Sequence, residues 1–222
     1  MGKNALSWSP GQSGENAAMR LIAMCLMFFV PTVALSEPIE TQKIITALTG
    51  DWNGDGGIDL ALIVQTEPTK PMDMHFFLRD IEHNYLKPVE IVRDQILGEW
   101  NGYDRPGYEN SDTEPELTAL PNNSIRLFLP AMPVGSQRTN QTLTIAYRDG
   151  TFVVAGFSYD SEDFLKENTK IGCDFNVLTG KGESGRTKED GTPSSLPVSV
   201  SGRVIPFANW SFENGLSACQ GS

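Results

Sequence analysis

Residues 142–159 read TLTIAYRDGTFVVAGFSY, two runs rich in β-branched and aromatic residues around the pair Asp149-Gly150. An Asp-Gly pair between such runs predicts a two-residue type I′ turn, because both central positions of that turn need a positive φ. Such a turn fixes the pairing of the two strands and puts three facing pairs on one buried side. The expected pairs are Tyr147 with Phe152, Ile145 with Val154, and Leu143 with Gly156.

Shorter apolar runs predict further strands on either side of this hairpin. The candidates are residues 58–64, 72–78, 85–92, 174–178 and 198–205, with residues 44–48 suiting a strand or a helical turn equally well. The polar stretches 94–123 and 182–195 are interpreted as a surface excursion and a mobile connection. The pattern therefore predicts a mainly β fold of antiparallel sheets or a sandwich, with a β-rich α+β fold as the alternative.

The bulk composition limits both size and partners. The chain has 222 residues with 39% hydrophobic residues, enough for a packed core. Its 17 Lys and Arg against 28 Asp and Glu give a formal net charge of −11, which repels phosphate backbones and argues against nucleic acid as a partner. The 21 glycines and 14 prolines favour many turns and short strands over long helices.

Residues 21–35 form an uncharged apolar run directly after Arg20. The run ends in Ala34-Leu35-Ser36, where small residues take the two places that a signal peptidase requires. It is shorter than the roughly 20 residues of a membrane span, and Pro31 interrupts it. We therefore expect residues 1–36 to be a cleaved signal peptide, with residues 1–18 a misassigned start, and residues 37–222 to form a single exported domain without a membrane span.

Two cysteines remain after such a cleavage, because Cys25 lies inside the apolar run. An even pair in an exported protein predicts a disulfide between Cys173 and Cys219, and two free buried thiols are the alternative. Neither cysteine has the CxxC spacing of a redox or zinc site. The two histidines, His75 and His83, also lack zinc-ligand spacing, so we interpret them as ordinary strand or surface residues.

Residues 51–60, DWNGDGGIDL, carry oxygen side chains at loop positions 1, 3, 5 and 9. This spacing lets one tight loop direct several oxygens at a single hard cation such as Ca²⁺. Gly56 permits the bend between the ligands. The predicted ligands are the side chains of Asp51, Asn53, Asp55 and Asp59 and the backbone carbonyl of Gly57. A turn rich in Asp and Asn that holds no ion is the alternative.

The loop resembles the calcium loop of FG-GAP or VCBS-type repeats, in which D-x-[DN]-x-D-G-x-x-D-L leads into a β-strand. The resemblance implies that the same five residues bind a structural Ca²⁺. It covers about a dozen residues in a single copy, whereas the family stacks several copies, so a full propeller is not expected. Residues 173–181 are also similar to small bacterial exported proteins of unassigned function.

These observations favour a calcium-stabilised, non-enzymatic binding or structural module of the bacterial envelope, periplasmic or secreted, with an unknown protein or glycan ligand. The alternative function is a hydrolase that acts on extracellular or cell-wall glycans through carboxylates. A hydrolase would need two carboxylates about 5–10 Å apart in a concave site, and a raised pKa on at least one of them.

Overall fold

Two antiparallel sheets make up the part of the chain that the computed structural model describes, which is residues 44–66, 71–96, 114–130, 136–166, 169–188 and 190–220. With one exception near the C-terminal end, the neighbouring strands of both sheets follow one another along the chain. The predicted mainly β class is confirmed, and within these residues the strands form two open sheets and no propeller.

The first sheet has four strands in chain order. They are β1 (Ile44–Gly50), β2 (Asp59–Val64), β3 (Met72–Asp80) and β4 (Tyr85–Ile96). Met72, Met74 and Phe76 on β3 are buried in the core, and the intervening Asp73 and His75 are buried as well. The ambiguous run at residues 44–48 is a strand, because it pairs with β2 along its length.

The second sheet has eight strands in the order β11-β10-β9-β8-β7-β6-β5, and β12 also pairs with β8. These strands are β5 (Glu116–Leu120), β6 (Ser124–Leu129), β7 (Gln137–Arg148), β8 (Thr151–Asp163), β9 (Ile171–Asn176), β10 (Lys181–Thr187), β11 (Pro193–Ser199) and β12 (Ile205–Pro206). A 3₁₀ turn at Phe207–Asn209 and a helix, α1 (Phe212–Gln220), follow β12.

One hydrophobic core joins the two sheets. The ring of Phe76 in β3 stacks on that of Phe152 in β8, with 3.8 Å between the ring centroids. Beside this stack, Glu90 in β4 accepts hydrogen bonds from the Phe152 backbone N–H at 3.1 Å and from the Thr151 hydroxyl at 3.3 Å. Apolar burial and one side-chain bridge therefore hold the sheets together.

The central hairpin confirms the predicted turn and two of the three predicted pairs. Asp149 and Gly150 have φ of 49° and 88°, and Tyr147 faces Phe152 while Ile145 faces Val154. The third pair was wrong, because the register shifts between Thr144 and Ile145 and Leu143 then faces Phe157. Such a bulge adds one residue to a strand, and here it turns the large Phe157 side chain into the core in place of Gly156.

One sequence interpretation of a polar stretch was wrong, and a second was wrong at the two ends of its stretch. Residues 182–195 are not a mobile connection, since β10 and β11 pair in unbroken register from Lys181 opposite Ser199 to Thr187 opposite Pro193. In the stretch 94–123, β4 continues to Ile96 and β5 occupies Glu116–Leu120, while residues 97–113 lie outside the described part. Strands exposed on both faces need no apolar alternation, so their sequences resemble loops.

The C-terminal helix brings the two mature cysteines together. Cys173 in β9 and Cys219 in α1 are at disulfide-bonding distance, with their Cα atoms 6.0 Å apart. The sequence predicted this pair but not the helix or its contacts. The expected signal peptide, residues 1–36, lies outside the described residues. Among the helices that the structure describes, none is long and apolar enough to cross a membrane.

Candidate functional site

The acidic loop, defined as residues 51–59, connects β1 to β2 and so lies at one end of the four-stranded sheet. Its two ends are held together because Gly50 pairs with Asp59 across the strands. Gly54 and Gly56 have φ of 76° and 87°, a backbone region that other residues rarely adopt. The bend that the sequence assigned to Gly56 is therefore present, and Gly54 makes a second one.

Asp51 organises the loop from inside. One of its carboxylate oxygens, Oδ1, accepts hydrogen bonds from the backbone N–H groups of Gly54 at 2.8 Å and Asp55 at 3.0 Å. The other oxygen, Oδ2, accepts the N–H of Gly56 at 2.9 Å. Three successive amides thus point toward one carboxylate, which fixes the curvature of the backbone around it.

Asn53 and Asp55 lie beside Asp51 in the same turn. The Asn53 side-chain amide donates to Oδ2 of Asp55 at 2.7 Å, and Oδ1 of Asp55 accepts the backbone N–H of Gly57 at 2.7 Å. An ionised carboxylate has about four acceptor positions, so these bonds leave some of its capacity free. The structure therefore brings together three of the predicted ligands, and both Asn53 and Asp55 are exposed to solvent.

Asp59 anchors the loop to the sheet. Its side chain is fully buried, and its two oxygens accept the backbone N–H groups of Trp52 at 2.7 Å and Arg79 at 2.8 Å. Burial raises the pKa of this carboxyl and the two amide bonds oppose the rise, while the negative charges of Asp55 and Asp51 add to it. The three carboxylates are therefore close enough to repel one another.

Two further residues shape the loop, and their roles were not evident in the sequence. The Trp52 indole is buried and packs directly over Gly50, where it leaves no room for a Cβ atom. A Cβ on Gly57 would lie 2.8 Å from the Arg79 Cβ and from Oδ1 of Asp55, so this position requires glycine for close packing. Arg79 also donates from Nε to the Ile58 carbonyl at 3.3 Å.

The acidic loop supplies the kinds of ligand atom that Ca²⁺ prefers, but the arrangement of its side chains in this structure is less suited to the ion. Carboxylate, amide and backbone carbonyl oxygens are the ligands that Ca²⁺ prefers. Within the described ranges, however, no group of three or more His, Cys, Asp or Glu side chains is arranged to hold a metal ion. The carboxylate oxygens of Asp51 and of Asp59 are all directed at backbone amides. The side chains grouped at the surface are Asp51, Asn53 and Asp55.

One histidine lies in β3 and the other in the turn that follows it, and neither makes a hydrogen bond to the acidic loop within the described residues. His83 is exposed in the β3–β4 turn, and its Nδ1 is 3.1 Å from Oδ1 of Asp80. His75 in β3 is 7% exposed, and neither of its ring nitrogens has a hydrogen-bond partner. Burial lowers the pKa of His75, Asp73 opposes this and Arg93 adds to it. No pattern in the sequence indicates that His75 is buried.

Among the residues that the structure describes, neither of two surface clefts is lined by the carboxylate pair of a glycosidase. The first lies between the segment 200–205 and α1, and no Asp or Glu lines it. The second lies over β9, β10 and β11, with Glu183 as its one acidic lining residue. The carboxyl with a raised pKa, that of Asp59, lines neither cleft. These clefts therefore lack the geometry that the hydrolase alternative requires.

Comparisons with known protein families, with characterised proteins and with solved structures find no match to this chain. The interpretation of the acidic loop therefore depends on its own geometry and chemistry.

Proposed function

We propose that this protein is an exported, calcium-stabilised module of the bacterial envelope that binds a protein or glycan, or has a structural role, and performs no catalysis. The observation that carries the proposal is the coordinated folding of the acidic loop around Asp51. Three backbone amides neutralise part of the Asp51 charge, and the side chains of Asn53 and Asp55 lie in the same turn.

Electrostatic repulsion gives the loop a reason to take up a cation. Asp51, Asp55 and Asp59 fall within nine residues, and the first two raise the pKa of the third. A bound Ca²⁺ would supply the positive charge that offsets this repulsion, with Asp51, Asn53 and Asp55 as its side-chain ligands and the Gly57 carbonyl beside them. Asp59 would keep the loop attached to β3 through the Arg79 amide.

The position of the loop supports a stabilising role for the ion. A Cβ atom on Gly54 would lie 3.5 Å from Nδ2 of Asn123, which belongs to the turn between β5 and β6. The loop of one sheet therefore lies beside a turn of the other. Because an ion that orders the loop would also order this contact, its binding would favour the folded state by mass action.

Export is supported by three features that act together in the proposal. They are the apolar run at residues 21–35, the Cys173–Cys219 pair at disulfide-bonding distance, and the even number of cysteines outside that run. Disulfides persist in oxidising compartments such as the periplasm and the extracellular space. The clefts without paired carboxylates favour binding or structure over glycan hydrolysis.

Direct titration tests the proposal. Isothermal titration of the metal-stripped protein with CaCl₂ should show one site, and MgCl₂ should bind more weakly because Mg²⁺ retains its waters. Asp55→Ala should abolish binding, since it removes a ligand but no core contact. Asp174→Ala is the matched control, because Asp174 is an exposed acid on β9 outside the loop, and its calcium binding should equal that of the wild type.

Two results would overturn the calcium proposal. The first is the absence of a binding isotherm for the wild type at millimolar calcium. The second is equal calcium binding by Asp55→Ala and Asp174→Ala, which would mean that the ion is attracted by the acidic surface as a whole.

A further inference from the structure

The C-terminal cleft, lined by Phe175, Val177, Arg203, Ile205, Trp210 and Asn214 among others, has no role in the calcium proposal. Its floor is apolar, because Phe175, Val177 and Trp210 are all at most 5% exposed. Arg203 and Asn214 are polar lining residues from the opposite sides, the segment after β11 and α1. An apolar floor with a few polar groups is the usual composition of a small-molecule site.

The charge of the residues that line the cleft differs in sign from the net charge of the protein. The chain carries a formal net charge of −11, yet among the described residues Arg203 is the only ionisable one that lines the cleft. The Arg203 backbone N–H donates to the Val177 carbonyl at 2.9 Å, which fixes its position. Its guanidinium is exposed and makes no hydrogen bond or ion pair within the described part of the chain. The cleft therefore presents an unused cation beside an apolar floor.

Asn214 offers a second free donor. Its Oδ1 accepts the Ser211 backbone N–H at 2.8 Å at the start of α1, and this fixes which end of the amide is oxygen. The Nδ2 group is then left with no partner among the described residues. A guanidinium and an amide N–H₂ at one cleft are complementary to a carboxylate, which accepts several hydrogen bonds.

The size of the cleft limits the ligand. Its volume is about 210 Å³, below the range of about 300–1,000 Å³ for drug-sized ligands. A cavity of roughly 150 Å³ holds a benzene ring. The remaining space suits a carboxylate attached to such a ring.

The walls are also held in place before any ligand binds. Cys173, in the strand that carries Phe175, is at disulfide-bonding distance from Cys219 in the helix that carries Asn214. The Val200 N–H donates to the Gly180 carbonyl at 2.8 Å and holds the third wall. A rigid site loses less entropy on binding.

We propose that the C-terminal cleft binds a small monocarboxylate whose apolar part is about the size of one aromatic ring. The ring packs on Phe175, Val177 and Trp210, and the carboxylate binds the Arg203 guanidinium and the Asn214 amide. The same chemistry occurs in a free aromatic acid and in the C-terminal phenylalanine of a peptide. This inference does not depend on the calcium proposal.

The test is a titration of the full chain with phenylacetate, followed by the ¹H–¹⁵N NMR signals of the Trp210 indole and the α1 amides. The neutral phenylacetamide is the matched ligand. We expect saturable shifts with a dissociation constant on the order of 1 mM for the acid, and binding at least roughly tenfold weaker for the amide. Running each titration in EGTA and in calcium separates this site from the acidic loop.

Substitutions test whether the Arg203 guanidinium binds the carboxylate of the ligand. Arg203→Gln should weaken phenylacetate binding by roughly tenfold or more while leaving the melting temperature unchanged, because the side chain is exposed. Arg186→Gln, which removes an exposed arginine of β10 outside the cleft, should bind like the wild type. Ala218→Leu, which fills the cleft from α1, should weaken binding of the acid and the amide alike.

A peptide ending in a free phenylalanine carboxylate identifies the source of the ligand. Tighter binding of this peptide than of phenylacetate, with loss on C-terminal amidation, assigns the site to protein C-termini, and the reverse order assigns it to free acids. The proposal is overturned if neither ligand gives saturable shifts, or if Arg203→Gln and Arg186→Gln bind phenylacetate equally well.

Discussion

The acidic loop and the C-terminal region, residues 171–220, are stabilised in opposite ways. The loop is held by hydrogen bonds from backbone amides to Asp51 and Asp59, all within residues 51–79. The C-terminal region is held by the Cys173–Cys219 pair and by Phe157, whose ring lies 5.5–5.9 Å from three aromatic rings that belong to this region. Those three rings belong to Phe175, Trp210 and Phe212.

The difference shows why one region should respond to ions and the other to redox conditions. The stability that hydrogen-bonded carboxylates near the surface provide depends on bound cations and on pH. The stability that a disulfide and buried aromatic rings provide does not depend on either, but the disulfide is lost on reduction. The first two of the following predictions each change one region and leave the other in place.

The largest effect is expected at the disulfide. Cys219→Ser opens a loop of 46 residues, and in the chain-entropy estimate this costs about 4 kcal/mol of unfolding free energy. Denaturant unfolding of oxidised wild type, reduced wild type and the variant measures the loss. The reduced wild type and the variant should agree, and calcium binding by the acidic loop should persist in both. A loss below about 1 kcal/mol would mean that the link constrains little.

A smaller effect is expected at the anchor of the acidic loop. Asp59→Asn replaces one of two buried acceptor oxygens by an N–H₂ donor, so either the Trp52 or the Arg79 amide loses its partner. An unsatisfied buried donor costs about 1–3 kcal/mol. Asp174→Asn, an exposed control on β9, should stay within about 0.5 kcal/mol of wild type in the same denaturant series. Equal stability of the two variants would contradict the anchoring role.

The smallest effect is a pH dependence at His75, which lies in neither region. Burial lowers the folded-state pKa of His75 below its ordinary value of 6.5, so the unfolded chain binds a proton first as the pH falls. Stability should be fully present above about pH 6.5 and decline below it, by at most about 1.4 kcal/mol per pH unit. His75→Gln should remove this contribution.

His83→Gln is the matched control for the pH experiment, because His83 is the other histidine of the chain and is exposed. It should keep the decline below pH 6.5 that the wild type shows. A decline that is the same in all three proteins would assign it to groups other than His75.

Local chemistry explains what the sequence predicted. The turn at Asp149-Gly150, the bend at Gly56 and the apolar run that forms β2 depend on residues close together in the chain, so the sequence predicted them. The cysteine pair was also predicted, because only two cysteines remained to be paired. The ligand role of the loop stays a prediction.

Long-range packing explains what the sequence did not predict. The bulge places Phe157 instead of Gly156 opposite Leu143. The ring of Phe157 then packs against Trp210 and Phe212, which lie more than fifty residues later in the chain. The β10–β11 hairpin extends the second sheet, and its formation depends on the strands it pairs with. Its own sequence is polar and therefore resembles a connection. The burial of the Asp59 carboxylate depends on its hydrogen bond from the Arg79 amide in β3, and no local sequence pattern identifies that partner.

Thermal melting with and without calcium tests the central claim most directly. The protein as purified is melted in excess EGTA and then in millimolar CaCl₂. At a calcium concentration of 100 times the dissociation constant, mass action adds about 2.7 kcal/mol, which for a domain of this size raises the melting temperature by about 5–10 °C. Asp55→Ala should show no rise. Identical melting of the wild type in EGTA and in calcium would contradict the account.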